Sequence, residues 1–415
     1  MERKLLAILF FSLIGSQNVQ SKTYKILHYN IKELASFKLK ASPQFEAVKK
    51  VLNEILGDQQ ADIYSINEIQ YDLPGVPNEE FQTQGENLKK LADLIGIGGP
   101  FYTTFNRANT GNNARRKPDG SYPMYPGEPG GRGLADTVNF GVFPSQYSTG
   151  GISRHPIIKE TVFTKLRWKD FYPKAEIEKY AQENGQPLPQ EMELFDKNFT
   201  DAVMELDGKK LHVILLHTVP AYHFGNPKSP NYIRNRDQLR FLEWYTTGST
   251  DIEVPKDIGI KPLGKDESFV IVGDLNSDIE NQENPGSAVL RRLATKTKQW
   301  VPVVDFTNES QHFGPKPFQL RLDYMFFSRD IEVVKGAIYR PGSERMELGC
   351  GVKSAKNAKD DPSRSKVIVE YKHKNSLCFS AVNQDYYYSK VASDHFPIWA
   401  EFRWVTSGIS QSSGK

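Results

Sequence analysis

The sequence predicts an α/β protein whose strands and helices are arranged in layers, and three observations support this prediction. Short apolar segments rich in β-branched and aromatic residues alternate along the chain with amphipathic segments of helical spacing. No internal repeat or low-complexity linker divides the 415 residues. Several apolar segments end in Asn, Asp, Glu or His, and ligand sites of layered α/β proteins collect at such strand ends.

The first part of the chain supplies two strands, each followed by a helix. Residues 24–30 (YKILHYN) predict a strand, and the following helix begins with Ser42 as N-cap and Pro43 in the first position. One apolar face of this helix is formed by Phe45, Val48, Leu52, Ile55 and Leu56. Residues 61–67 (ADIYSIN) predict a second strand, which leads into Glu68. The spacing of Leu88, Leu91, Ala92 and Ile95 predicts a second helix.

The rest of the chain continues the alternation but contains three interruptions. Strands are predicted over residues 161–166, 201–206, 211–216, 269–272, 321–327 and 397–404, and a helix over residues 232–245. Residues 106–135 are rich in Gly, Pro, Asn and Arg and predict one long loop. Residues 168–198 and 341–392 interrupt the pattern and are predicted to be insertions, the second of which carries both cysteines.

Composition excludes several classes of protein. The chain has 53 Lys and Arg against 50 Asp and Glu, for a formal net charge of +3, which argues against a polybasic nucleic-acid coat. Two cysteines are too few for a disulfide-dense scaffold or a four-cysteine zinc module. Cys350 and Cys378 form either one disulfide or two unpaired thiols, and the sequence leaves both possibilities open.

The N-terminal segment predicts export. Arg3 and Lys4 precede an apolar stretch at residues 5–15 that is too short to span a bilayer, and Val19 and Ser21 occupy the −3 and −1 positions of a cleavage site. We therefore expect residues 1–21 to be a secretory signal peptide, with an uncleaved anchor or a buried helix as the alternative. The mature protein is expected to be secreted or periplasmic and monomeric, without stable membrane insertion.

Polar residues at the ends of the predicted strands form the candidate site. They are Asn30, Glu68, His217, Asp274, Asn276, Asp323, Asp394 and His395. Each alone has an ordinary explanation, such as a solvated carboxylate or a turn former. Asp323 is more informative, because a carboxylate inside an apolar strand needs a partner and histidine is a suitable one. Carboxylates with Asn and His, without a thiol cluster, favour a hard divalent cation.

The ordered set of motifs resembles the endonuclease/exonuclease/phosphatase superfamily. This superfamily includes pancreatic-type DNase, abasic-site endonucleases, neutral sphingomyelinases and inositol polyphosphate 5-phosphatases. The matching motifs are HYNI with Asn30, INEIQ with Glu68, LLHTVP with His217, GDLNSD with Asp274 and Asn276, RLDYMFFS with Asp323, and ASDHFPI with Asp394 and His395. They occur in family order over residues 26–404, so we expect one large domain over residues 22–405, followed by a flexible tail at 406–415.

The resemblance implies both a fold and a mechanism. The fold is a four-layer sandwich of two packed mixed sheets flanked by helices, with the site at one rim. Glu68 becomes the principal Mg²⁺ ligand, with Asn30 beside it and Mn²⁺ or Ca²⁺ as alternative cations. His395, oriented by Asp323, takes a proton from water for in-line attack at phosphorus.

The remaining motif residues receive supporting roles from the resemblance. Asp274, with Asn276, positions the nucleophile or stabilises the pentacoordinate phosphorus, and His217 donates to a non-bridging oxygen. Asp394 holds a second metal or the loop of His395. Whether Asp274 or His395 is the base is left open.

The closer resemblance is to exported bacterial members of the superfamily. They carry a segment like residues 139–157 and a helix rich in Arg and Asn after the histidine motif, so Arg234, Asn235 and Arg236 are candidate phosphate contacts. A solvated helix face is the alternative for these three residues. Abasic-site endonucleases have Asn-x-Asp in the first motif and a tyrosine in place of His217, whereas this chain has Lys32. Two histidines are more similar to pancreatic-type DNase or to the sphingomyelinases.

Three functions are compatible with these motifs. The leading hypothesis is a secreted Mg²⁺-dependent phosphodiesterase that acts on nucleic acid. In this hypothesis the basic residues of the long loop, Arg107, Arg115, Arg116, Lys117 and Arg132, follow a phosphate backbone. The alternative is the same chemistry on a small phosphoester or a phospholipid headgroup such as sphingomyelin. The third is a catalytically inactive binding protein, against which the complete motif set argues.

Overall fold

A computed structural model describes residues 22–405 apart from 36–37, 40–41, 58–59, 71–84, 183, 224–225, 301–305, 311–316 and 352–365. The predicted signal peptide (1–21) and tail (406–415) lie outside the described residues. No helix in the described part of the chain has the length and apolar character needed to cross a membrane.

Two mixed sheets dominate the described part of the chain, and each has six strands there. The first has the order β13 (Ile331–Ile338), β17 (Ile398–Trp404), β1 (Tyr24–Leu34), β2 (Ile63–Ile69), β4 (Thr149–Ser153), β3 (Tyr102–Asn106). The second has the order β5 (Ile157–Val162), β6 (Phe199–Leu206), β7 (Lys209–His217), β8 (Phe269–Asp274), β12 (Asp323–Phe327), β9 (Lys298–Trp300). The central pair of each sheet, β1–β2 and β7–β8, is parallel, and the other pairs are antiparallel.

Helices and two smaller sheets complete the fold. The helices are α1 (Pro43–Leu56), α2 (Glu86–Leu94), α3 (Gly131–Leu134), α4 (Trp168–Phe171), α5 (Asn231–Thr247), α6 (Pro285–Lys296) and α7 (Gln384–Ala392), with a 3₁₀ turn at Ile177–Lys179. One small sheet pairs β10 (Asn308–Ser310) with β11 (Phe318–Leu320). The other has the order β14 (Arg345–Cys350), β16 (Ser376–Asn383), β15 (Lys366–His373).

The hydrophobic core shows how the layers are stacked. Between the sheets, Ile26 and Ile63 of the first sheet pack with Val213 and Val270 of the second. Because side chains alternate along a strand, the other face of β1 turns outward and packs against α1 and α2. The outer face of the second sheet packs against α5 and α6. The four-layer sandwich implied by the sequence is therefore confirmed.

Local predictions agree with the structure in most elements. Helix α1 begins where expected, and Ser42 Oγ accepts a hydrogen bond from the backbone N of Phe45 at 3.0 Å. The strand predicted over residues 161–166 is shifted, because the observed strand is β5. Residues 163–166 leave the sheet in a turn in which the Leu166 N donates to the Phe163 carbonyl at 2.9 Å.

The two predicted insertions differ in character, whereas residues 106–135 form a loop that contains the short helix α3. Residues 168–198 contribute Trp168, Phe171 and Phe195 to the core beside α5, so this segment is part of the outer layer. Residues 341–392 supply the three-stranded sheet and α7, and a disulfide joins Cys350 to the paired Cys378. The described cysteines are therefore bonded, which resolves the alternative that the sequence left open.

The buried pair of His212 and Asp201 lies toward the end of β7 opposite His217, and it predicts a pH-dependent contribution to stability. His212 Nδ1 lies 2.8 Å from Asp201 Oδ2; burial opposes protonation, but the hydrogen bond and charge of Asp201 raise the pKa of His212. A raised pKa stabilises the folded protein below the unfolded-state pKa of about 6.5, and this contribution is lost as the pH rises through the folded-state pKa. In urea unfolding, His212→Gln should therefore destabilise the protein more at acidic than at alkaline pH. An equal loss at both would contradict the pair's assigned role.

Candidate active site

Three polar residues lie side by side on adjacent strands of the second sheet, at one end of those strands. In the strand register His217 is opposite Asp274, and Asp274 is opposite Asp323. The parallel strands β7 and β8 end at the same edge, and β12 begins there because it runs antiparallel to β8. All three side chains are buried. The topology thus brings together His217 and Asp323, which are 106 positions apart in the sequence.

The first sheet brings Asn30 and Glu68 to the same rim. Asn30 is in register with Asn67 across β1 and β2, and Glu68 follows with a φ of 60°. Asn30 Nδ2 donates to Glu68 Oε1 at 3.2 Å and to Asp274 Oδ2 at 3.1 Å, and Asn67 Oδ1 accepts from the Asp274 N at 2.9 Å. The two asparagines therefore join the edges of the two sheets. A non-glycine residue with positive φ is strained, and such residues cluster at functional sites.

Asp323 and His395 form a buried pair. His395 Nδ1 lies 2.8 Å from Asp323 Oδ2, and His28 Nε2 lies 3.0 Å from Asp323 Oδ1. Burial alone would raise the pKa of Asp323, but the charge of His395 and the hydrogen bonds from His28 and His395 hold it well below its usual range. Asp323 is therefore an ionised acceptor that directs the His395 ring.

The other nitrogen of His395 faces Asp274. His395 Nε2 lies 3.7 Å from Asp274 Oδ2, and Asp274 Oδ1 accepts from the Asn276 N at 2.8 Å. Burial would lower the pKa of His395, but the charges of Asp323 and Asp274 raise it to about 10. Asn276 Nδ2 donates to the Thr218 carbonyl at 3.0 Å, so this side chain ties the loop after β8 to the end of β7.

His217 lies on the other side of Asp274. Its Nε2 is 3.3 Å from Asp274 Oδ2, and its buried Nδ1 has no hydrogen-bond partner among the described residues. Burial and the positive charge of Lys197 lower the pKa of His217 to about 4. The ring is therefore a neutral donor at physiological pH. Lys197, whose Nζ donates to Asp196 Oδ2 at 2.9 Å, escaped the sequence analysis because DKNF carries no strand-end pattern.

The carboxylates around Glu68 fit a divalent cation. Burial and the negative charges of Glu33 and Asp394 raise the pKa of Glu68 to about 7, so three acidic groups repel one another at this point. Asp394 has a side chain that is 28% exposed and lies 3.8 Å from Lys32 Nζ. A hard cation between carboxylate and amide oxygens would relieve this repulsion.

A second group of potential ligands is formed by Asp274, Asp323 and His395, whose atoms lie within 4.8 Å of one another. Both oxygens of Asp323 already accept hydrogen bonds from histidines, so this carboxylate has a fixed structural partner. The group is capable of metal binding, but Glu68 is the carboxylate at this rim whose pKa burial and neighbouring negative charge raise.

A cavity of about 550 Å³ opens onto these residues. Its polar lining includes Glu68, His217, Asp274, Asn276, Asp394 and His395. Its aromatic lining includes Phe140, Tyr147, Tyr222 and Phe318. Arg132, Lys197 and Arg234 also line it. A cavity of this volume holds one ligand group beside the polar residues.

The three candidate phosphate contacts on α5 differ in position. Arg234 is buried and donates to the Leu194 and Glu193 carbonyls and to Asn139 Oδ1, at 3.0, 2.8 and 2.7 Å. Asn235 is also buried and donates to the Val219 and Leu275 carbonyls. The alternative of a solvated helix face is therefore wrong for both. Arg236 is partly exposed and is paired with Asp237 at 2.8 Å.

The basic residues of the long loop are bound mainly within the loop itself. Arg115 and Arg116 donate to the carbonyls of Gly133 and Gly120, and Lys117 Nζ lies 2.9 Å from Glu128 Oε1. Of the five basic residues, Arg132 lines the cavity. The loop therefore presents one of its basic residues to the site.

Gly273 allows the close approach of β8 to β7 that places Asp274. A Cβ at this position would overlap the carbonyl oxygen of Leu216 on the neighbouring strand. We expect Gly273→Ala to force the strands apart and lower the free energy of unfolding by about 1–3 kcal/mol, as other overpacked core positions do. Urea unfolding measures this. Gly98→Ala, at a position with open space around its Cβ and no left-handed backbone, is the control, and an equal loss in both variants would contradict a specific role for Gly273.

Comparison with known proteins agrees with this arrangement. The sequence model of the Endonuclease/Exonuclease/phosphatase family matches residues 15–395. The chain therefore belongs to this family, and it is a metal-dependent phosphoric ester hydrolase. No curated protein matches the sequence.

Several solved structures are similar to this chain. An endonuclease/exonuclease/phosphatase from Beutenbergia cavernae is 14% identical, with a TM-score of 0.46 over 94% of this chain and 73% of that one. A variant of beta toxin from Staphylococcus aureus with bound magnesium ions is 15% identical, with a TM-score of 0.43 over 91% and 99%. Sphingomyelinase C from Streptomyces griseocarneus is 12% identical, with a TM-score of 0.45 over 92% and 99%.

Proposed function

We propose that this protein is a Mg²⁺-dependent phosphodiesterase. One observation carries the proposal: Asp274 Oδ2 is the point on which Asn30, His217 and His395 converge, at 3.1, 3.3 and 3.7 Å. Glu68, whose pKa is raised by burial and by the charges of Glu33 and Asp394, lies at the same rim. Groups that hold a cation, groups that activate water and groups that stabilise negative charge therefore line one cavity.

The metal would be held by Glu68 and Asp394, with Asn30 beside them. Their oxygen donors suit Mg²⁺, with Mn²⁺ and Ca²⁺ as alternatives. When bound, the cation supplies polarisation of a phosphate oxygen and stabilises the charge of the transition state. Asn30 also holds Glu68 and Asp274 together, so it has a positioning role before any cation binds.

Asp274 and His395 act together on the attacking water. His395 Nε2 lies 3.7 Å from Asp274 Oδ2, so both groups face one water molecule, and either of them takes its proton. Asp323 fixes the direction of His395 Nε2 by holding Nδ1. His217, as a neutral donor, stabilises a non-bridging oxygen, while Asn276 and the buried Arg234 and Asn235 hold the surrounding loops.

A nucleic-acid strand is the first candidate substrate. The aromatic residues that line the cavity, with Arg132, offer surfaces on which a base stacks while its phosphate reaches Asp274. The second candidate is a small phosphodiester or a phospholipid headgroup. The cavity has room for such a group, and the ion pair of Lys117 with Glu128 shows that part of the loop's basic charge is neutralised within the loop. Export, through cleavage before Lys22, is part of the same proposal.

A substrate panel tests this proposal. The purified mature chain is incubated with plasmid DNA, RNA, sphingomyelin and a generic bis-phosphodiester, each with Mg²⁺ and with chelator. We expect cleavage of nucleic acid that chelator abolishes. Cleavage of lipid or small esters alone would transfer the proposal to the second candidate. Absence of hydrolysis from all four would contradict catalysis and favour an inactive binding protein.

A further inference from the structure

His28 is a buried histidine next to the proposed machinery. It occupies the inward face of β1, which presents Tyr24 and Ile26 to the core between the sheets, then His28, then Asn30 at the rim. The side chain of His28 is fully buried. An apolar residue would continue the core at this position, whereas a buried imidazole needs hydrogen bonds to offset the loss of hydration.

Both ring nitrogens of His28 have partners. Nδ1 lies 3.0 Å from Ser65 Oγ on the neighbouring strand β2, and Nε2 lies 3.0 Å from Asp323 Oδ1 on the facing sheet. An ionised carboxylate can only accept, so Nε2 carries the hydrogen and donates to Asp323. In that tautomer Nδ1 accepts from the Ser65 hydroxyl. The contacts therefore form a continuous chain from Ser65 through His28 to Asp323.

The carboxylate of Asp323 is held at both oxygens. His28 occupies Oδ1, and His395 Nδ1 occupies Oδ2 at 2.8 Å. The terminal torsion of an aspartate has a broad minimum, so one hydrogen bond alone fixes its plane weakly. With both oxygens engaged, the plane is set, and with it the direction in which His395 Nε2 points toward Asp274.

We infer that His28 is a positioning residue for the hydrolysis proposed above, acting through Asp323 to hold His395 in line with Asp274. This inference rests on the proposed function. His28 is not among the described residues that line the cavity, so it touches neither substrate nor attacking water. Its effect is expected on turnover and not on substrate binding.

A double-mutant cycle tests this inference on whichever substrate the wild type cleaves. We expect His28→Ala to lower kcat by about 10–100-fold, the range found when partners of site residues are removed, with KM nearly unchanged. His28→Gln retains an amide donor toward Asp323 and should recover part of the loss. In an Asp323→Ala background, adding His28→Ala should have almost no further effect, because the carboxylate through which His28 acts is gone.

His212→Ala is the matched control. It removes another buried histidine that is paired with an aspartate, at the end of β7 opposite His217 and the site. It should lower stability while leaving kcat at the wild-type level. Should His28→Ala fail to fold, the kcat of His28→Gln and of Ser65→Ala carries the test, with losses expected in both. Wild-type kcat in the folded His28 variants, or independent losses in the double mutant, would overturn the inference while leaving the proposed function intact. An inactive wild type would instead overturn the proposed function, and this inference with it.

Discussion

Replacing Glu68 with Gln is expected to lower phosphodiester hydrolysis by about 10³-fold or more, because it removes the carboxylate proposed to hold the cation that stabilises transition-state charge. The Gln side chain keeps an acceptor for Asn30, which donates to Glu68 Oε1 at 3.2 Å. It also removes a negative charge that Glu33 and Asp394 repel. The metal-free variant should therefore be as stable as the wild type or more so.

Two measurements separate catalysis from folding in this variant. Initial rates at saturating Mg²⁺ give the catalytic loss, and thermal unfolding in chelator gives the stability. Glu332→Gln is the control, since it changes an exposed carboxylate paired with Arg403 at 2.8 Å on the edge strand β13. Wild-type rates in a folded Glu68→Gln protein would remove Glu68 from the metal site. A stability loss larger than that of Glu332→Gln would contradict the charge-repulsion argument.

His395→Ala is the second change with a large expected effect. It removes the ring that faces Asp274 Oδ2 at 3.7 Å and leaves Asp323 Oδ2 without its 2.8 Å donor. Removal of a group that takes part in proton transfer typically costs about 10²–10⁴-fold in rate. We expect kcat to fall within this range, while Mg²⁺ binding measured by calorimetry persists because Glu68 and Asp394 are unchanged.

His155→Ala provides the control for this experiment. His155 is paired with Asp62 at 3.2 Å. Asp62 directly precedes β2, so this pair lies at the opposite end of that strand from Glu68. It should retain the wild-type kcat. If His395→Ala turns over as fast as His155→Ala, the pair formed by Asp274 and His395 does not activate water.

The sequence predicted the layers and most of the rim from local patterns. Strand ends such as Asn30, Asp274 and Asp323 were identifiable because a polar residue follows or interrupts an apolar run, and a parallel pair brings such ends together. The need of Asp323 for a partner followed from the cost of burying an unpaired carboxylate. His395 lies 72 residues further on, and the motif resemblance rather than any local pattern connected the two.

Contacts between segments that are distant in the chain could not be predicted from the sequence. Arg234 looked like a solvated or phosphate-binding residue, but residues 168–198 fold over α5 and bury it. The sequence assigns no role to Asn67. In the structure, however, Asn67 Oδ1 accepts a hydrogen bond from the Asp274 backbone N on the other sheet. His28 belongs to the HYNI motif, but the sequence assigns it no role, because its partner Asp323 is 295 residues away.

We propose that phosphodiester hydrolysis at the Asp274–His395 pair requires a divalent cation held beside Glu68. Metal is stripped from the wild-type protein with chelator, the chelator is dialysed away, and the hydrolysis of a generic bis-phosphodiester is followed as Mg²⁺ is added back. We predict no hydrolysis by the stripped protein and a saturable recovery with Mg²⁺. Hydrolysis by the stripped protein at the rate of the untreated protein would contradict the claim.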